Sequence, residues 1–496
     1  MNTSSSSAPD SAAPAFKREL RLLDSSMIVI GSMIGSGIFI VSADIARTVG
    51  SPGLLLLVWL ITGAVTIIGA LSYGELAGMM PHAGGQYVYL REAYNPLVGF
   101  LYGWTFFLVI QSGTIAAVAV AFAKFTAVLF PSVREGVTLF SVASFHVTAS
   151  QLVAIGTIVI LTFINSRGIH GGKLVQDVFT IAKTAALIGL ILLGIFVGRN
   201  AAAISSNFSH FWDGTWTHII DGSVVSIESL SGISLLAAIG VAMVGSLFSS
   251  DAWNNITFTA GEVINPKRTI PLSMAIGTGT VTLLYIAANL AYLLVLPFNG
   301  NPVGADVAAR GIQFAIDDRV ATAATTVIFG PVATVIMATL IMVSTFGCNN
   351  GLILAGARVT YTMAKDKLFF RRAGILNGKS VPGVALTVQA VWASLLCLSG
   401  TYGDLLDYVI FAILVFYILT VAGIFILRRK KPDAERPYKA LGYPAVPALY
   451  MLVAAAVAVD LLVFKPRSWW GVVIVLIGIP VYFFWKRTGR GEKVQA

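Results

Sequence analysis

Twelve apolar runs follow one another through this chain, and no other feature constrains its fold as much. They lie near residues 26–46, 54–79, 97–130, 148–165, 174–198, 232–260, 270–296, 325–364, 384–400, 404–427, 443–464 and 470–485. About 20 apolar residues in a helix cross the hydrocarbon of a bilayer. A helix also satisfies its own backbone N–H and C=O groups where no water can. The runs therefore predict an all-α polytopic membrane protein of about 12 transmembrane helices. With 56% hydrophobic and 11% charged residues among 496, little chain remains for a soluble domain. One membrane domain is expected over 26–487, flanked by a polar tail over 1–25 and a short tail over 488–496.

The formal charge of +10 does not mark a nucleic-acid partner, because the basic residues are scattered in short loops. They report orientation. With the amino terminus placed in the cytoplasm, 23 of the 33 Lys and Arg fall in cytoplasmic segments, 7 fall outside, and Lys124, Lys183 and Arg358 lie within spans. Insertion favours that asymmetry. Both tails are then cytoplasmic, in a plasma membrane such as a bacterial inner membrane. The clusters Arg428 to Lys431 and Lys365 to Arg372 fix orientation. No cleavable signal peptide is evident, since no small-residue cleavage site follows the first apolar run. Cys348 and Cys397 both lie in apolar stretches, which leaves no loop disulfide framework and no cysteine-rich metal site.

Two runs are interrupted by glycine and serine, roughly two hundred residues apart. The first break is Gly31-Ser-Met-Ile-Gly-Ser-Gly37 and the second is Gly245-Ser-Leu-Phe-Ser-Ser-Asp-Ala-Trp-Asn-Asn255. Splitting the first ten spans into fives puts these breaks in helices 1 and 6. An odd number of spans per half makes the two halves an inverted five-plus-five repeat, whose opening helices meet antiparallel at the centre. The first repeat is expected over about 26–198, the second over about 232–428, and two accessory helices over about 443–485.

Each break would unwind its helix near the midplane, where free backbone groups persist only beside a cavity or a polar ligand. Around Gly35, Ser36 and Gly37 the amides of a half-helix N-terminus can face an anion such as a carboxylate. Close helix packing through Gly31 and Gly35 is the alternative reading. At the second break, Phe248-Ser-Ser-Asp251 suits lipid poorly. Its carbonyls can accept from an ammonium, and Asp251 can add charge or pair with an internal Lys or Arg. Phe248 and Trp253 also read as ordinary core aromatics. An amino acid carries both matching charges.

Lys183 lies deep in the fifth span, where an ammonium is costly unless it is paired or beside a polar cavity. Lys124 sits nearer its span's end, where snorkelling accounts for it. The chemistry of an enzyme is not apparent. The five histidines show no metal-ligand spacing such as His-Glu-x-x-His, and no G-x-x-x-x-G-K-[ST] loop is present. No cofactor and no metal are expected. His210, Trp212 and Trp216 fit an interfacial aromatic belt.

Several motifs together resemble the amino acid–polyamine–organocation superfamily, and within it the L-type amino acid transporter group. Gly31 to Phe39 is similar to the first-helix signature. Tyr73-Gly-Glu-Leu-Ala77 and Pro81-His-Ala-Gly-Gly-Gln-Tyr-Val-Tyr89 resemble the second helix and first cytoplasmic loop. Phe248 to Asn255, then Gly261-Glu-Val-Ile-Asn-Pro-Lys-Arg-Thr-Ile-Pro271, resemble the sixth helix and its exit. The likeness continues through Phe346-Gly-Cys-Asn-Asn-Gly351, Lys431 to Pro437 and Gly442 to Pro447.

The resemblance implies a leucine-transporter-like fold and a site built on both breaks. Backbone around Met33, Ile34, Gly35, Ser36 and Gly37 holds the substrate carboxylate, with the Ser36 hydroxyl assisting. Carbonyls at Phe248, Ser249 and Asp251 hold the amino group, the Phe248 ring forms an outer lid, and Asn254 supports. Lys183 matches a fifth-helix lysine that links the unwound first helix to the eighth and replaces a sodium requirement.

Three departures stand out. The loop Pro131-Ser-Val-Arg-Glu135 lacks the cysteine that joins animal members to a heavy subunit, so no disulfide-linked partner is expected. Ala252 replaces a common glycine, and Ser250 stands where an aromatic is frequent. The implied activity is sodium-independent, alternating-access exchange of L-amino acids, with helices 1, 2, 6 and 7 rocking against helices 3, 4, 8 and 9. Proton-coupled symport through Lys183 is the alternative, followed by a receptor or structural subunit that does not transport.

Overall fold

The structure, a computed structural model, describes residues 16–134, 137–142, 145–220, 223–398, 402–465 and 468–488. Residues 1–15 and 489–496 of the two expected tails lie outside the described residues. Among the described residues, eleven helices are long and apolar enough to cross a membrane. Adding the shorter Gly383–Cys397 brings the number to the expected twelve.

Chain order explains the architecture. The first span is three pieces, α1 (Leu22–Met33), α2 (Gly37–Ile40) and α3 (Ser42–Val49), interrupted at Ile34 to Ser36. Ser51 caps α4 (Pro52–Met79) by accepting from the Leu54 amide, with Pro52 at the first helical position where its missing N–H costs nothing. The short α5 (Gln86–Ala93) leads to α6 (Pro96–Thr105), which Asn95 and Pro96 start in the same way. A π segment, Phe106–Ile110, joins α6 to α7 (Gln111–Leu129) as one long third span. The fourth and fifth spans are α8 (Ala149–Ser166) and α9 (Ile169–Phe196), followed by the short α10 (Ala201–Ser209).

The sixth span is α11 (Gly232–Ser249) and α12 (Asn255–Phe258), separated by five non-helical residues. Then come α13 (Pro266–Val295), the short α14 (Val307–Arg310), α15 (Val320–Phe329), α16 (Val332–Lys365), α17 (Gly383–Cys397), α18 (Tyr402–Lys430), α19 (Ala445–Phe464) and α20 (Trp469–Thr488).

One sequence expectation is corrected here. The run 325–364 is not one span, because Gly330 takes a left-handed φ of 69° and Pro331 has no N–H to offer, which divides α15 from α16. Two of the loops carry short hairpins. Thr138–Val142 pairs antiparallel with Phe145–Thr148, and Thr215–Ile220 with Ser223–Ser229. These small hairpins sit on the face opposite the amino-terminal segment and leave the membrane domain all-helical.

The packing puts the broken helices at the centre. Helix α4 lies along α13, α7 along α16, and α16 along α9, while α1 touches α9, α13, α16 and α12. Ion pairs fasten the face that carries the amino-terminal segment. Glu75 accepts from Arg428 at 2.6 and 2.9 Å, and Arg91 pairs with Asp366. Lys431 donates to Glu92 at 2.9 Å and holds its carboxyl below the usual carboxylate range. On the opposite face Arg47 bridges Asp318 and the Gln313 carbonyl, each at 2.7 Å.

Candidate functional site

Helix α1 ends because Ile34 adopts an extended ψ of 92°, and the chain does not regain helical bonding until Gly37. The amides of Gly35 and Gly37 donate to no backbone carbonyl among the described residues. Helix α11 ends at Ser249, and Ala252 then sits at φ 66°. That left-handed conformation costs an alanine of order 1–3 kcal/mol. A glycine would carry no such cost there.

The two gaps meet. The Tyr285 hydroxyl, carried by α13, lies 3.0 Å from the Met33 carbonyl and 3.0 Å from the Ser249 carbonyl. Gly37 faces Ser249 so closely that a Cβ added to it would stand 2.0 Å from the Ser249 Oγ and 3.1 Å from its Cα. Gly37 is thus the residue that lets one unwound strand of backbone touch the other. Gly37→Ala is expected to push the gaps apart and remove substrate binding while leaving the outer packing intact. Thermal protection by amino acids, present in the wild type and absent in the variant, checks this.

Lys183 is buried, and its ammonium donates to the Gly31 carbonyl at 2.5 Å, the Ile34 carbonyl at 2.7 Å and the Ser344 carbonyl at 3.3 Å. The first two belong to the frayed end of α1 and the third to α16. One cation therefore ties the unwound first span to the eighth, where a charge in low dielectric has most to gain from partial negative oxygens. Gly31 and Gly35 also serve close packing. A Cβ on Gly31 would lie 2.0 Å from Gln176 of α9, and one on Gly35 would lie 3.2 Å from the Cys348 sulfur of α16. The two readings of this glycine pair are compatible.

Three neighbours were not singled out in the sequence. Besides Tyr285, Ser344 donates to the Gly35 carbonyl at 3.1 Å, and Cys348 donates to the Ser32 carbonyl at 3.1 Å. Ser344 and Cys348 are four apart on one face of α16, a spacing they share with ordinary small packing residues.

The second-gap residues divide. Ser249 joins the first gap. The Phe248 carbonyl accepts from the Asp251 amide at 3.2 Å, which leaves one of its two lone pairs. Asp251 turns instead to α18, where it accepts from the Tyr417 hydroxyl at 2.6 Å. Its carbonyl accepts from no backbone amide among the described residues. Asn254 donates to Gln86 at 3.0 Å, and Gln86 donates in turn to Thr420 of α18 at 3.0 Å. Asp251 borders two small cavities, of about 20 and 10 Å³. The larger is lined also by Trp253, Tyr417 and Tyr450, and the smaller by Gln86, Gln111 and Asn254. Tyr73 packs edge-on to both Trp253 and Tyr417 behind this wall. No group of three or more His, Cys, Asp or Glu among the described residues could hold a metal ion.

Sequence comparisons show the family. The family model described as amino acid permease matches residues 20–486. The chain is 27% identical to the b(0,+)-type amino acid transporter 1 of Mus musculus, over 95% of this chain and 88% of the mouse protein. It is 29% identical to the large neutral amino acids transporter small subunit 2 of Homo sapiens, over 95% of this chain and 80% of that protein. A serine/threonine exchanger of Bacillus subtilis (strain 168) is 28% identical, with 95% of this chain and 97% of that protein covered.

Proposed function

The chain belongs to the amino acid permease family, and we propose that it is a sodium-independent exchanger of L-amino acids working by alternating access. The observation that carries the reading is the meeting of both helix gaps at the Tyr285 hydroxyl, with Lys183 fixed behind them. Free amides at Gly35 and Gly37 suit a carboxylate, and carbonyls at the second gap suit an ammonium once the helices part. The amino- and carboxyl-terminal tails are cytoplasmic on the charge asymmetry of the loops. The carrier works without a disulfide-linked partner, since both cysteines are buried in helices.

Exchange follows from the cost of an empty site. Unwound polar groups without a partner make reorientation of the empty carrier slow, and a bound zwitterion removes that cost. Proteoliposomes test this directly. Labelled serine is expected to enter vesicles preloaded with unlabelled serine far faster than empty ones, and equally in sodium or potassium salts. Uptake into empty vesicles driven by an imposed pH gradient would assign the chain to proton symport instead.

A second reading concerns the substrate side chain. Asp251 stands between two cavities among Trp253, Tyr417 and Tyr450, a carboxylate with aromatic faces that suits a cation. In the same vesicles, Asp251→Asn is expected to weaken arginine competition and spare that of alanine and leucine. Equal loss for all three would return Asp251 to a purely structural role.

A further inference from the structure

A second pocket lies away from the helix gaps, on the face opposite the amino-terminal segment. It offers about 120 Å³ among α14, the turn Ile316–Asp318, α15 and the first turn of α16. Two guanidinium groups and three hydroxyls line it, from Arg310, Arg319, Thr322, Thr326 and Thr334, and Ile316 contributes an apolar wall.

Two atoms of this lining lack partners. The Arg319 Nε and the Thr322 Oγ1 are fully buried and make no hydrogen bond. Arg310 spends its Nε on the Gly304 carbonyl at 3.0 Å. Arg319 pairs through one terminal nitrogen with Asp317, a carboxylate half exposed to solvent, and its guanidinium lies over the Phe125 ring. Thr326 donates to the Thr322 carbonyl at 2.8 Å and accepts from Thr334 at 3.3 Å, so both of these hydroxyl protons are engaged and the open donors are those of Arg319 and Thr322. Buried donors without acceptors are costly and rare in folded proteins. A pair of them beside two guanidinium groups fits an anion that accepts in a plane, and the apolar wall fits a short carbon chain.

We propose that this pocket binds a small organic carboxylate, at a site separate from the one between the helix gaps. Its position gives the binding a consequence. Arg47 at the end of α3 holds Asp318, the residue next to Arg319, and α15 packs against α2. A carboxylate held by Arg310 and Arg319 therefore braces the segment that covers the outer half of the broken first span.

Hydrogen exchange on the full chain in detergent, with acetate as the probe and chloride at equal ionic strength as control, tests the proposal. Acetate at about twice its dissociation constant is expected to slow exchange across residues 306–334 about threefold, following the factor 1 + [L]/Kd. Arg319→Gln and Thr322→Val are each expected to reduce that protection. Thr322→Val keeps the shape of the side chain and removes only the hydroxyl, so it guards against misfolding as the cause. Asp251→Asn, at the other site, is expected to leave the protection unchanged. Equal protection by chloride, no protection by acetate, or full protection in both pocket variants would overturn the assignment.

Discussion

Replacing Lys183 with alanine is expected to lower exchange by at least about a hundredfold. The ammonium makes two close bonds to carbonyls at the frayed end of α1 and a longer one to α16. Hydrogen bonds to a charged group contribute about 1.5–3 kcal/mol each. Losing two therefore withdraws roughly 3–6 kcal/mol from the arrangement that holds the first gap open to substrate, and about 1.4 kcal/mol is a factor of ten. The carbonyls left behind face no water, so alanine cannot be compensated by solvent as it would be on a surface. Lys183→Arg is expected to fail as well. A planar guanidinium is bulkier than an ammonium and cannot place three donors on carbonyls that converge from two helices. Counterflow in proteoliposomes gives the rate, and thermal unfolding in detergent separates loss of function from loss of fold. Exchange within tenfold of wild type in the alanine variant would remove Lys183 from the mechanism.

The same residues mark what could be read before any coordinates. The gaps at Gly35 to Gly37 and at Ser249 to Asp251 were legible because glycine, serine and an acid are anomalous in an apolar run. Lys183 was legible for the same reason. Single polar residues that differ little from ordinary helix-packing residues were not. Tyr285 reads as one more aromatic in a span, although its hydroxyl touches both gaps. Ser344 and Cys348 read as small packing residues, although both cap carbonyls of the first break. The direction of Asp251 was hidden too, because a composition pattern says that a helix unwinds and not which way the freed side chain turns. The division of α15 from α16 rested on Gly330-Pro331, a break legible as a dipeptide but embedded in a run long enough to pass as one span.

Arg358 shows the limit most clearly, since its partner lies 96 residues away in sequence. It sits in α16 with 1% of its side chain exposed and meets Glu262, 3% exposed, at the exit of the sixth span. The contact is bidentate at 2.8 and 3.2 Å, and Arg358 also donates to the Leu354 carbonyl. The Glu262 carbonyl in turn accepts from the amides of Glu19 and Leu20 at 2.9 Å, so one residue joins the eighth span, the sixth span and the amino-terminal segment. Breaking a buried pair from one side leaves an uncompensated charge and costs about 3–5 kcal/mol.

Arg358→Met and Glu262→Met are each expected to destabilise the protein by that amount, read as a fall in unfolding temperature. The double variant Arg358→Met with Glu262→Met buries no charge and is expected to regain most of the stability. Its exchange rate should not recover in step. In the alternating-access cycle proposed above, the α16 surface and the exit of the sixth span belong to the two groups of helices that separate when this face opens. An ion pair across that seam breaks and reforms as a discrete event, whereas two methionines adhere without register. Recovery of both stability and exchange in the double variant would reduce the pair to a packing element. Recovery of stability alone would make it the latch that lets this face of the carrier close in one defined position.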